Sequence, residues 1–181
     1  MRKRGYFLGP RPDDPDIPPA LKHAHELMQF GNYSEAAPVF EQLASSAERR
    51  GGPRAPFLFI QAARARLNLD QNAVGVGHLR HGLELFATSR RFTQLYRAGN
   101  RAISELKALG LEKEAREIAT FVQNNIPAIA ESPTQRIPDR TKLTLPTHCP
   151  SCGGPVHSNE VEWIDSRFVE CSFCGSPIRA E

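Results

Sequence analysis

The chain has 181 residues, of which 40% are hydrophobic and 24% charged, an ordinary globular composition that excludes disorder throughout. No uncharged apolar run reaches the roughly 18 residues a membrane-spanning helix needs; the densest stretch, Phe57-Leu58-Phe59-Ile60, stops at Gln61. A net charge of +3 is too mild to call for a nucleic-acid partner by itself.

Residues 1–18 are expected to form an extended N-terminal arm, since five prolines fall within residues 1–19 and no helix or strand periodicity is present. Met1-Arg2-Lys3-Arg4 has the charge of a signal-peptide start, but Gly5 to Pro10 is too short an apolar core to follow it. Export and membrane insertion are therefore not expected, and a cytoplasmic location is.

Residues 19–127 read as a helical domain. Proline at Pro19 suits a first helical position. Apolar residues then recur at helical spacing in three sets: Ala20 to Ala47, Phe57 to Phe86, and Leu95 to Val122. Each set divides into two helices, giving about three antiparallel pairs. The breaks align as Phe30-Gly31 followed by Ala36, Leu67-Asn68 followed by Ala73, and Leu109-Gly110 followed by Ala115. Glycine or asparagine tolerates the left-handed backbone that ends a helix, and a small alanine lets the next helix lie close. Gly75, Gly77 and Gly82 are expected to loosen the second pair, and Pro38 falls inside a helical stretch.

The first of these breaks, Gly31-Asn32-Tyr33-Ser34-Glu35-Ala36 with Phe40 after it, resembles the core of a tetratricopeptide repeat. The third keeps Gly110 and Ala115 and closes on Pro127, but has Glu112 and Ala119 at the aromatic positions; the second is the weakest, with Asp70 and Gly77 there. The resemblance implies stacked helix pairs with a groove for a protein or peptide partner.

Residues 128–146, polar and proline-containing without periodicity, read as a linker. Residues 147–181 hold all four cysteines: Cys149 and Cys152, then eighteen residues, then Cys171 and Cys174. A disulfide framework spreads cysteines over the chain it staples; two C-x-x-C pairs at one end point instead to a four-thiolate metal site. Two residues between the cysteines let one turn aim both sulfurs at one ion, and Gly153 and Gly175 permit backbone N–H groups to face the sulfurs. With candidate strands at Val161–Ile164 and Arg167–Glu170, the segment resembles a zinc ribbon. One structural Zn²⁺ is the expected cofactor; iron on similar knuckles and a redox pair are the competing readings. Four thiolates leave no position for water, so catalysis at the metal is not expected.

About thirty-five residues cannot bury enough apolar surface to fold unaided, so the metal is expected to decide this segment's stability, with Trp163, Phe168 and Phe173 forming a small core beside it. His23, His25, His78 and His81 read as surface or packing residues, and His157 as a weak spare ligand. No catalytic residues, nucleotide-binding loop or other cofactor motif is present, so no enzyme is expected.

Charge divides unevenly: residues 20–130 carry +4 and residues 147–181 carry −3. Zinc with four thiolates adds −2 to the latter, which repels phosphate. The leading expectation is a non-enzymatic protein–protein interaction scaffold. The alternative is a nucleic-acid-associated regulator using the helical arginines, which gains weight if several of them share one surface.

Overall fold

A computed structural model describes residues 18–126, 143–158, 161–164, 167–171 and 173–180. The expected arm (1–18, apart from Pro18) and most of the expected linker lie outside these residues. The fold is mainly helical: α1 (Pro19–Gln29), α2 (Tyr33–Arg49), α3 (Ala55–Leu67), α4 (Asn72–Thr88), α5 (Phe92–Ala108) and α6 (Glu112–Asn125). Helices adjacent in the chain pack together, α1 on α2, α3 on α4 and α5 on α6, with α2 also on α3 and α4 on α5. Among the described residues no helix is long and apolar enough to cross a membrane.

Most helices bury one stripe. In α2 it is Ala36, Ala37, Phe40 and Ala44; in α6 it is Ala115, Ile118 and Val122. α2 runs through Pro38, whose ring sits on the exposed side. α3 differs from both. All its residues except Arg64 and Arg66 are buried, because it is covered on several sides. Its run Phe57-Leu58-Phe59-Ile60 is apolar all round, which suits a helix with no solvent face.

The helix breaks repeat, with one correction to the sequence alignment. Gly31, Asp70 and Gly110 take the left-handed conformation, at φ 75°, 58° and 76°. The next amide reaches back to the carbonyl of Leu27, Arg66 or Leu106 at 2.9–3.0 Å, closing each helix. The second break is therefore set at Asp70, whereas Asn68 has φ −70° and ends the helix on its α-side. An aspartate tolerates this backbone through its short polar side chain. The helices that follow begin at Tyr33, Asn72 and Glu112, so Gly75, not Ala73, matches Ala36 and Ala115. Ala73 is exposed, and Gly75 is buried.

Two glycines expected to weaken α4 instead set its fit on α3. A Cβ on Gly75 would lie 2.7 Å from Leu67 Cγ, and one on Gly82 would lie 2.8 Å from the Pro56 carbonyl oxygen. Gly77 meets nothing and keeps only the entropic penalty. His78 and His81 of α4 pack on Phe59 and bond to Glu41 (3.0 Å) and Glu48 (2.8 Å) of α2, so they tie these helices together. The Arg66 guanidinium bonds to the same Glu41 and holds its carboxyl below the ordinary range.

The C-terminal module carries a three-stranded antiparallel sheet, β1 (Glu162–Trp163), β2 (Phe168–Glu170) and β3 (Pro177–Arg179), in that order. Trp163 pairs with Val169, and Val169 with Ile178. β3 falls outside the two expected strands. Its sequence carries the signal in miniature: proline at the first strand position, then buried Ile178 and Ala180 alternating with exposed Arg179.

Candidate metal centre

The cysteines sit on two turns of the same construction. In the first, the Cys149 amide donates to the Gly154 carbonyl (2.8 Å) and the Gly153 amide to the Cys149 carbonyl (2.9 Å). In the second, Cys171 bonds to Ser176 and Gly175 to Cys171, each at 2.9 Å. Gly153 and Gly175 take φ 71° and 70°, the left-handed backbone that closes each turn. Each turn thereby presents its two sulfurs on one side. Backbone amides of Ser151, Gly154 and Phe173 donate to the sulfurs of Cys149, Cys152 and Cys171 at 3.4 Å, and the Ser176 hydroxyl lies 3.3 Å from Cys174 Sγ. Such donors stabilise sulfur as thiolate and orient it.

All four sulfurs lie within 4.8 Å of one another, and all four cysteines are buried. Cys149 and Cys174 are 3.8 Å apart across the two turns, as are Cys152 and Cys171. These separations are far beyond a bonded disulfide. They match the edge of a tetrahedron with metal–sulfur bonds of about 2.3 Å, which is about 3.8 Å. The donor set therefore fits a thiophilic ion, and the cluster can hold a metal. The sulfurs perturb one another strongly. Hydrogen bonding to Cys149 pushes the Cys152 and Cys171 thiols up, while the neighbouring thiols pull Cys174 and Cys149 down. Four thiolates in one dry cage cannot coexist without a cation.

The structure leaves His157, the spare candidate, out of this set, and neighbouring His148 as well. His157 is exposed, and His148 bonds to its neighbour Thr147. Among the described residues, the four cysteines are the one cluster of metal-ligating side chains.

The module is seated on the helices. Cys149, Cys152, Cys171 and Cys174 belong to one apolar cluster with Leu21, Ala24 and Leu27 of α1 and Leu58, Phe59, Ala62 and Ala65 of α3. Trp163 and Phe173 pack against that shared cluster, so the small core beside the sulfurs is completed by helices. Three contacts fix the seat. The Phe173 ring meets His25 of α1 edge-on, 4.7 Å between centroids. Gly175 lies against the Phe57 ring of α3 so closely that a Cβ there would collide with it. Arg97 of α5 donates to Glu170 of β2 at 2.8 Å, with both side chains largely buried.

Arg64, Arg97 and Arg101 do share one surface, as the alternative function requires, but acidic side chains face them. They line a crevice between α3, α5 and the module together with Glu105 and Glu170. Arg64 donates to Glu105 through two nitrogens, at 3.0 and 2.5 Å. Glu170 of the module and Glu105 of α5 thus meet these arginines within the molecule.

His25, read from the sequence as a surface or packing residue, is a packing residue, and its unpartnered ring was not foreseen. It is 2% exposed, and neither ring nitrogen has a hydrogen-bond partner, an arrangement that costs about 1–3 kcal/mol per unsatisfied group. Burial pushes its pKa down to about 4, partly opposed by the charge of Cys174. The signal was present: His25 lies four residues after Leu21 and one after Ala24, on the apolar face of α1.

No family model matches the chain, and no curated protein or solved structure matches it either.

Proposed function

We propose that this protein is a non-enzymatic interaction scaffold, in which a tetratricopeptide-like helical array and a zinc ribbon form one binding surface for a protein or peptide partner. The observation that carries the reading is the closed, buried four-sulfur cage seated on α1, α3 and α5. A cage of four sulfurs supplies fold, because a tetrahedral zinc ion held there keeps no site for water or substrate. The cysteines hold the ion, the knuckle amides orient them, and the ribbon so stapled covers part of the groove that the helix pairs create. A partner then meets groove and ribbon together, which distinguishes this arrangement from a bare helical groove.

Nucleic-acid association is the weaker reading, because the clustered arginines are faced by Glu105 and Glu170 and by a thiolate-bound ion of net −2. Zinc K-edge absorption on the purified protein tests the closed site. The reading requires four sulfurs at about 2.3 Å, and a nitrogen or oxygen ligand near 2.0–2.1 Å would contradict it. Quantitative cross-linking in lysate then compares wild type with the Cys149→Ser/Cys152→Ser variant. Partners cross-linked only by the zinc-loaded wild type support a composite surface; an unchanged set overturns it.

A further inference from the structure

The module does not fill the face it sits on. A cleft of about 490 Å³ remains between the C-terminal halves of α1, α3 and α5 and the two cysteine turns. That volume is in the range of small-molecule sites. His25 and Gln61, both buried, lie in its wall with Met28, Leu67 and Phe173, and Pro155 closes it from the module. The site therefore joins an apolar body to a polar end, and the polar end has an unmet demand: both His25 ring nitrogens lack partners among the described residues. A buried polar group left in this way calls for an explanation, and a bound molecule is one.

The permanent charges in the wall cancel each other, and His157, also in the wall, is exposed. Arg64 and Glu105 line the cleft, and each is engaged by the other through a two-point ion pair. A charged ligand would have to break that pair or enter a largely apolar space without a counter-ion, and both are unfavourable. A neutral imidazole offers one donor and one acceptor, and the Gln61 carboxamide belongs to the same neutral chemistry. His25 is covered by Phe173, which packs edge-on against it and is itself only partly buried. The His25 nitrogens are buried beneath it, so a ligand reaches them only if Phe173 turns aside.

We propose that this cleft binds an uncharged planar ligand, an aromatic or heteroaromatic carboxamide or lactam, with its ring beside Phe173 and its amide edge on His25. The site is separate from the scaffold reading above and does not depend on which metal the sulfurs hold.

Three isosteric probes test it on the metal-loaded full chain: benzamide, benzoate and benzamidine, followed by NMR of the His25 and Phe173 ring signals. Benzamide is expected to shift both signals saturably, with a Kd of about 1 mM or tighter and at least ~10-fold below that of either charged probe. His25→Phe keeps the apolar packing and is expected to weaken benzamide by about 10-fold. Ala108→Trp, at the exposed rim of the cleft, is expected to block binding without touching the core. No saturable shift with benzamide, equal or tighter binding of a charged probe, or undiminished binding by Ala108→Trp would each overturn the proposal.

Discussion

The helical part and the cysteine module are stabilised by different means. The helices bury Phe40, Leu83, Phe86, Leu95 and Leu106 completely, and such burial is worth about 1.5–3 kcal/mol per large side chain. The module has three strands of two or three residues, and the large side chains it buries completely among the described residues are Val169 and Ile178, beside its cysteines. A sheet of that size does not stand alone in water. The two parts are therefore expected to fail differently: the helices through cavities and overpacking, the module through an empty cysteine site or loss of its seat on α1, α3 and α5.

The largest expected effect comes from separating the two by metal removal. Structural zinc supplies on the order of 10–16 kcal/mol in small domains. Chelation, or Cys152→Ser, is expected to bring the amides of residues 147–180 to full hydrogen exchange while α2, α4 and α6 stay protected. α3 should lose protection on its Leu58 and Ala62 side. Uniform loss over the whole chain would show that helices and module fold as one unit.

Next is the ion pair that joins them. Arg97→Ala removes the largely buried ion pair with Glu170 while the other interactions of Glu170 remain, so the cost is expected above the ~1 kcal/mol of a surface pair and below the roughly 3–5 kcal/mol of an uncompensated buried charge. The loss should be confined to the module and read as faster exchange in β2, with helix protection kept. A drop of under ~1 kcal/mol in denaturant unfolding would mean that the pair behaves as a surface contact.

How much of this was legible beforehand depends on the range of the signal. The C-x-x-C spacing and its glycines are local, so the turns of Cys149 and Cys171 could be read directly from neighbours in sequence. The six helices followed from apolar periodicity for the same reason. Asp70 was missed because aspartate only occasionally takes the left-handed backbone, while the nearby Asn68 is a stronger candidate. The seat of the module was missed because Gly175 against Phe57 and Arg97 against Glu170 are contacts across most of the chain, which no local pattern encodes. One trace of it was available. A helix as evenly apolar as Ala55–Leu67 needs cover beyond its two neighbouring helices, and the C-terminal segment was one candidate to provide it.

A smaller effect is expected at the boundary itself, where His25 is buried. Its folded-state pKa of about 4 lies below the ordinary 6.5, so the neutral form is the one the fold holds. Its contribution is intact above pH 6.5 and is lost as pH falls toward 4, about 3 kcal/mol across the window. Wild type should therefore lose stability relative to His25→Phe as pH falls below 6.5. Parallel pH profiles for the two proteins would contradict this placement.

The smallest effects lie wholly within the helices. Gly77→Ala meets open space and should stabilise by about 0.5–1 kcal/mol. Gly82→Ala drives a methyl into the Pro56 carbonyl and Ile60, and should destabilise by about 1–3 kcal/mol. Thermal unfolding of the two variants checks the sign, and two shifts in the same direction would contradict the close α3–α4 fit.

One divalent ion, held by the four sulfurs, is expected to keep the C-terminal module folded on the helices. Native mass spectrometry of freshly purified full-length protein, paired with alkylation of its thiols, tests it most directly. The account predicts a mass of one chain plus one zinc, with Cys149, Cys152, Cys171 and Cys174 resisting alkylation until a chelator is added. A bare polypeptide mass with all four thiols alkylated at once, and residues 147–180 still protected from exchange, would contradict it.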